Sequence, residues 1–164
     1  MKRVVVALVG VIWTCGFQYA QNIDKDTAIV KKYIYQNTVS QQTLSSIDGS
    51  LLTEHPFGDV IARKIYLLQD SYTYVEPPTP TSPGEKTIVM KPYIYNSVLK
   101  LNRTLKKQVK KGIISRDTAI KDLNRCLDVA ISIRTNETNE FESILRKAKD
   151  ANQIIEVFSL VELR

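Results

Sequence analysis

The chain has 164 residues and a formal net charge of +6, and 43% of its residues are hydrophobic. A chain of this length can bury enough apolar surface to fold as one domain without staples, and its hydrophobic content argues against disorder throughout. No repeat of fixed period is visible, which argues against a solenoid.

The first twenty residues have the features of a secretory signal peptide. Lys2 and Arg3 give a positive start, residues 4–13 form an uncharged apolar run, and small or polar residues follow. The run is too short to span a bilayer comfortably. We therefore predict a signal peptide at residues 1–20 and an exported single domain at residues 21–164.

Three ways of processing this segment stay open. Cleavage after Ala20 puts a small residue before the cut, although Gln18 is larger than is usual two places earlier. Cleavage after Gly16 is the competitor. In the third, Ile12-Trp13-Thr14-Cys15 resembles the lipobox of bacterial lipoproteins, although the two residues before the cysteine depart from the small residues of that pattern. That resemblance implies lipidation of Cys15 and a tether to the outer membrane.

The first part of the mature chain is predicted to contain one helix and one loop. Apolar spacing over residues 27–36 predicts a helix with Tyr33 and Ile34 facing the core. Residues 37–54 are rich in Ser, Thr, Gln and Gly, and predict a connecting loop with a turn at Asp48-Gly49 and room for one helical turn.

A second helix is predicted to begin at Pro56 and to end near Asp70 or Ser71. The stem of Lys64 lies along its apolar face. Residues 72–75 are predicted to be extended, and the prolines of residues 76–84 predict a solvated surface loop that is too short to separate two domains.

Two amphipathic helices joined at Gly112 form the centre of the predicted fold. The first has an apolar stripe from Ile94 to Val109 and ends where glycine can take the left-handed conformation. Ile113 is predicted to fold back onto its last turn. Ser115 is the predicted N-cap of the second helix, and the short connection makes the pair antiparallel.

Two further helices and a short extended end complete the chain. Phe141 and Leu145 mark one helix, and Asp150 has capping-box spacing to Gln153 at the start of the other. Residues 160–163, if extended, could pair with residues 72–75 or 88–90. We therefore predict a mainly α fold, an irregular bundle of about five helices around the antiparallel hairpin, with one short two-stranded β pair as an option.

Positive charge is concentrated on the hairpin. Residues 86–116 contain nine Lys and Arg and no Asp or Glu, and the rest of the mature chain has twelve basic and seventeen acidic residues. A segment of this charge attracts anionic partners. The predicted partner-binding cations are Lys100, Arg103, Lys106, Lys107, Lys110 and Lys111.

Residues that carry out catalysis or bind metals are scarce. The only histidine is His55, which precedes Pro56 in a loop and is expected to cap or to face solvent, so neither a histidine-based metal site nor a cofactor is predicted. Cys126 falls among apolar positions and is predicted to be buried. Asp117, Asp122 and Asp128 do not share one helical face, and we expect them to be solvated.

These features favour an exported, non-catalytic binding or accessory protein of the bacterial cell envelope. It would contact an anionic envelope component or an acidic protein patch through the basic helix, and export argues against nucleic acid as the partner. It would be periplasmic, secreted or held at the outer membrane as a lipoprotein. Two alternatives stay open: a secreted enzyme with carboxylates assembled across helices, and a protein that associates with itself through leftover apolar surface.

Overall fold

The computed structural model describes residues 33–82, 84–133 and 139–164, which belong to the unit Tyr33–Arg164. The predicted signal peptide, its cleavage sites and Cys15 lie outside these residues. So does most of the helix predicted over residues 27–36.

The described residues form six α-helices and one short 3₁₀ turn at Gly49–Leu51. The helices are α1 (Gln41–Ser45), α2 (Asp59–Tyr72), α3 (Pro92–Lys110), α4 (Arg116–Ser132), α5 (Asn139–Leu145) and α6 (Ala151–Ser159).

Four short strands form two separate pairs in this part of the chain. They are β1 (Tyr33–Tyr35), β2 (Thr73–Glu76), β3 (Lys86–Val89) and β4 (Val161–Leu163). Strands β2 and β3 are antiparallel, and β1 runs parallel to β4 with Tyr33 opposite Val161. The predicted mainly α bundle with a short β pair is therefore confirmed.

The turn between α3 and α4 has the backbone geometry that the sequence predicts. Gly112 has φ 69°, and its N–H donates to Val109 O at 3.0 Å while the Ile113 N–H donates to Gln108 O at 2.9 Å. These two bonds are those of a Schellman ending. Ser115 then caps α4 by accepting from the Thr118 N–H at 3.1 Å.

The Ile113 side chain does not fold back onto the last turn of α3, because it is 63% exposed. A Schellman ending usually brings this side chain onto the residue that supplies the outer carbonyl. Here that residue is Gln108, which is polar and gives Ile113 no apolar surface to cover.

The core lies where α3 and α4 face α2 and the last two helices. The stripe of α3 is buried as predicted up to Leu105, and burying each such aliphatic side chain contributes about 1.5–3 kcal/mol. The largest fully buried side chains of the core include Tyr72, Ile94, Leu101, Leu105, Leu123, Leu127, Phe141 and Phe158.

The predicted start of the second helix at Pro56 is wrong. Helix α2 begins at Asp59, because Phe57 turns into the core and Gly58 adopts a positive φ of 99° that no helical residue has. Lys91, just before Pro92, also has positive φ, so α3 begins abruptly after β3.

The N-terminal helix prediction is wrong over residues 33–35, which form β1. Alternation along this strand leaves Ile34 50% exposed, whereas Tyr33 and Tyr35 pack against the core. The extended C-terminus is confirmed, but its predicted partners are wrong. The Pro-rich loop allows β2 and β3 to pair with each other, so β4 pairs with β1.

None of the helices in the described ranges is both long and apolar enough to cross a membrane.

Candidate functional site

Helix α3 presents one row of exposed cations on the side opposite its apolar stripe. Lys100, Arg103, Lys107 and Lys110 are exposed at spacings of three or four residues, and Lys111 at the helix end is exposed beside them. We call these five residues the basic face. It is where the sequence places most of the partner-binding cations.

No carboxylate of the described chain forms an ion pair with the basic face. The ion pairs among the described residues use Arg63, Lys64, Arg146 and Arg164 as cations. Part of the charge has a structural use, since Lys107 and Lys110 lie in the last turn of α3, where cations offset the helix dipole. Lys100 and Arg103 lie outside that turn.

Lys106 stands apart from the other five predicted cations. It is half-buried at the border between the basic face and the apolar stripe, and it lines a groove of about 250 Å³. The walls of this groove are residues 51–55, the adjacent side of α2, and Asn102 and Lys106 of α3. We call it the His55 groove.

His55 is held in one orientation by two hydrogen bonds. Its Nδ1 accepts from the Phe57 N–H at 3.2 Å, and its Nε2 lies 3.1 Å from Asn102 Oδ1. Burial lowers the pKa of His55, and the charge of Lys106 acts in the same direction, whereas the bond to Asn102 opposes both. The lowered pKa and the acceptor role of Nδ1 both favour the neutral ring.

The first of these bonds lies within the turn before α2 and does not cap the helix, whose N-cap Gly58 has no side-chain hydrogen bond, so the expected capping role of His55 is wrong. The bond to Asn102 is not predicted, because the two residues are 47 positions apart. One signal was available: Asn102 lies four residues after Val98 and three before Leu105, so it is a polar residue on the buried side of α3.

A second polar cluster joins α2 to α4. The Lys64 ammonium lies 2.5 Å from Asp128 Oδ1 and donates to Asn124 Oδ1 at 2.7 Å. Burial raises the pKa of Asp128, and the charge of Lys64 opposes that shift. The prediction that Asp128 is solvated is wrong, because the stem of Lys64 carries its charge along the apolar face of α2 to this carboxylate.

The remaining candidate groups in the described ranges are the cysteine and the carboxylates. Cys126 is buried as predicted, and burial raises the pKa of its thiol to about 12, so it is protonated at neutral pH. In the described ranges no three His, Cys, Asp or Glu side chains are placed to hold a metal ion. Among the described residues that line the His55 groove, Glu54 supplies the carboxyl group.

The sequence matches no protein-family model, and searches of curated proteins and of solved structures found no significant similarity.

Proposed function

We propose that this chain is an exported, non-catalytic binding or accessory protein of the bacterial cell envelope, and that its basic face contacts an anionic surface there. The observation that carries the proposal is the basic face, a row of four exposed cations on α3 with Lys111 beside them, which has no ion-paired carboxylate in the described chain. The N-terminal signal pattern supports export.

Exposed cations that form no ion pair with the described carboxylates are suited to attract anionic lipid head groups. Each Lys or Arg near an anionic membrane surface contributes about 1 kcal/mol of attraction, which decays within a Debye length. Several aligned cations on one rigid helix add these contributions without a folding cost at the moment of contact.

The binding test compares two triple variants of the same net charge. Lys100→Gln/Lys107→Gln/Lys110→Gln removes three lysines from the basic face, and Lys86→Gln/Lys121→Gln/Lys149→Gln removes three exposed lysines elsewhere. Cosedimentation of the processed chain with phosphatidylglycerol-containing vesicles measures affinity. We expect the first variant to bind on the order of 100-fold more weakly, since three lysines represent about 3 kcal/mol.

The control variant should lose much less affinity, and vesicles of phosphatidylcholine alone should bind neither protein. Equal losses in the two variants would contradict a role for the basic face. Failure of the unaltered chain to bind anionic vesicles, together with binding to an acidic protein that depends on the same lysines, would move the proposal from a lipid surface to a protein partner.

Export has a test of its own, which is the intact mass of the protein recovered from its native envelope. The mass of a chain that begins at Gln21, found in a soluble fraction, supports a free exported domain. The mass of a chain that begins at Cys15 and carries two or three acyl groups supports a tethered lipoprotein. A full-length mass in the cytoplasmic fraction would contradict export.

A further inference from the structure

We propose that the His55 groove is a binding site for a small carboxylate with an apolar body, and that the carboxylate lies between the Lys106 ammonium and the Asn102 side-chain amide. This site is separate from the basic face and does not depend on the function proposed above.

The orientation of the Asn102 amide follows from a chain of two hydrogen bonds. Since the Phe57 N–H donates to His55 Nδ1 at 3.2 Å, the proton of the neutral ring must be on Nε2. That Nε2–H, 3.1 Å from Asn102, must then donate to an oxygen, which identifies the contacting atom as Oδ1. The Asn102 nitrogen is therefore the free end of the amide.

The Asn102 nitrogen has two N–H donors and no acceptor among the described residues. Asn102 is only 7% exposed, and its side chain lines the groove. This nitrogen is not one of the fully buried polar atoms without a partner in the described chain, so it is open to the groove and can donate to a ligand there. An anion bound in the groove supplies that acceptor.

The charges around the groove favour a single negative charge on the ligand. Among the described residues that line the groove, Lys106 is the cation, since the half-buried His55 ring uses Nδ1 as an acceptor and therefore carries no charge in this arrangement. Glu54 contributes an opposing carboxylate at the exposed rim. One ammonium and one anionic neighbour suit a carboxylate better than a doubly charged phosphate.

The remaining lining sets the size and the polarity of the ligand. Leu51, Leu52, Ala62 and Ile65 give the groove an apolar wall, and Leu51 is 56% exposed at its mouth. A volume of about 250 Å³ is below the usual range for drug-sized ligands. A carboxylate with a chain of a few carbons fits these limits.

Hexanoate is a suitable probe, with hexanol as the matched neutral compound. Titration of the processed, ¹⁵N-labelled chain by NMR would follow the Asn102 side-chain amide directly. We expect hexanoate to shift this signal in a saturable way, and hexanol to bind at least tenfold more weakly because it lacks the charge.

Two variants of neighbouring lysines give the control. Lys106→Gln should weaken hexanoate binding at least tenfold, whereas Lys107→Gln on the exposed basic face should change it less than twofold. The proposal would be overturned if both substitutions weakened hexanoate binding equally. It would also be overturned if hexanoate shifted only signals of the basic face and not that of Asn102. Because Lys107 belongs only to the basic face, failure here is distinguishable from failure of the vesicle test.

Norleucine, which has the carbon chain of hexanoate and an added ammonium group, distinguishes two sources of the carboxylate. If norleucine binds more tightly than hexanoate and Glu54→Gln removes this difference, the ligands are amino acids or peptide ends. Tighter binding of hexanoate would identify simple carboxylic acids. If neither compound binds, the proposed site is wrong.

Discussion

Lys64 and Asp128 form a charge pair between α2 and α4, with the ammonium nitrogen 2.5 Å from a carboxylate oxygen. Lys64 is only 6% exposed, so its charge is compensated by Asp128 and by the hydrogen bond to Asn124 rather than by bulk water. The pair links two helices that supply much of the core.

Asp128→Asn should destabilise the fold by about 3 kcal/mol, because it leaves the buried Lys64 charge without an anion. The free energy of unfolding from urea titration measures the loss. Asp122→Asn on the same helix is the matched control, and it should change stability by less than about 0.5 kcal/mol. Equal effects of the two substitutions would show that the pair does not matter for stability.

Gly112→Ala should destabilise the α3–α4 turn by about 1 kcal/mol. A Cβ at this position meets no atom within 4 Å, so the expected cost comes only from the positive φ of 69°. Gly112→Asn should cost less, because asparagine tolerates left-handed geometry. Gly49→Ala, where φ is ordinary and space is open, should be neutral or slightly stabilising in the same thermal unfolding measurement. A destabilisation at Gly49 as large as that at Gly112 would contradict this account.

The unfolding free energy should fall as pH is lowered from 7.5 to 5.5, in part because of His55. Burial holds the pKa of this residue below its ordinary value of 6.5, so the unfolded chain binds the proton more readily than the folded chain. The stabilisation is present above pH 6.5 and is lost as pH falls through the lower folded-state pKa. In urea titrations, the unfolding free energy of His55→Gln should depend less steeply on pH than that of the unaltered chain. An equally steep dependence in the two proteins would refute this assignment.

Val161→Ala should cost about 1–2 kcal/mol, because this side chain is fully buried in the β1–β4 pair. Ile34→Ala in the partner strand is the comparison, and its half-exposed side chain should cost about 0.5 kcal/mol or less. Urea midpoints measure both. A larger loss at Ile34 would mean that β1 uses its other face for packing.

The features predicted correctly depend on signals that are close together in the sequence. The α3–α4 turn follows from Gly112 and Ser115, and the start of α6 follows from Asp150, whose side chain accepts from the Gln153 N–H at 3.0 Å. The glutamine side chain in turn accepts from the Lys149 N–H at 2.8 Å, one residue earlier than in the usual capping box.

The features that were missed depend on contacts between distant segments. Hydrophobic periodicity cannot show that Lys64 reaches Asp128, or that β4 pairs with β1 rather than with β2 or β3. The same holds for His55 and Asn102, whose contact exists only because α3 packs beside the loop that precedes α2. Helical spacing in the sequence therefore predicts the row of Lys100, Arg103, Lys107 and Lys110, but it does not predict the groove that Lys106 lines.

The most direct test of the central claim is lysine footprinting of the processed chain with and without anionic vesicles. Acetylation followed by mass spectrometry reports the accessibility of each lysine. Our account predicts that Lys100, Lys107, Lys110 and Lys111 are protected together by the vesicles, whereas Lys121 and Lys149 keep their reactivity. Uniform protection, or protection centred on Lys121 and Lys149, would contradict the assignment of the basic face as the contact surface.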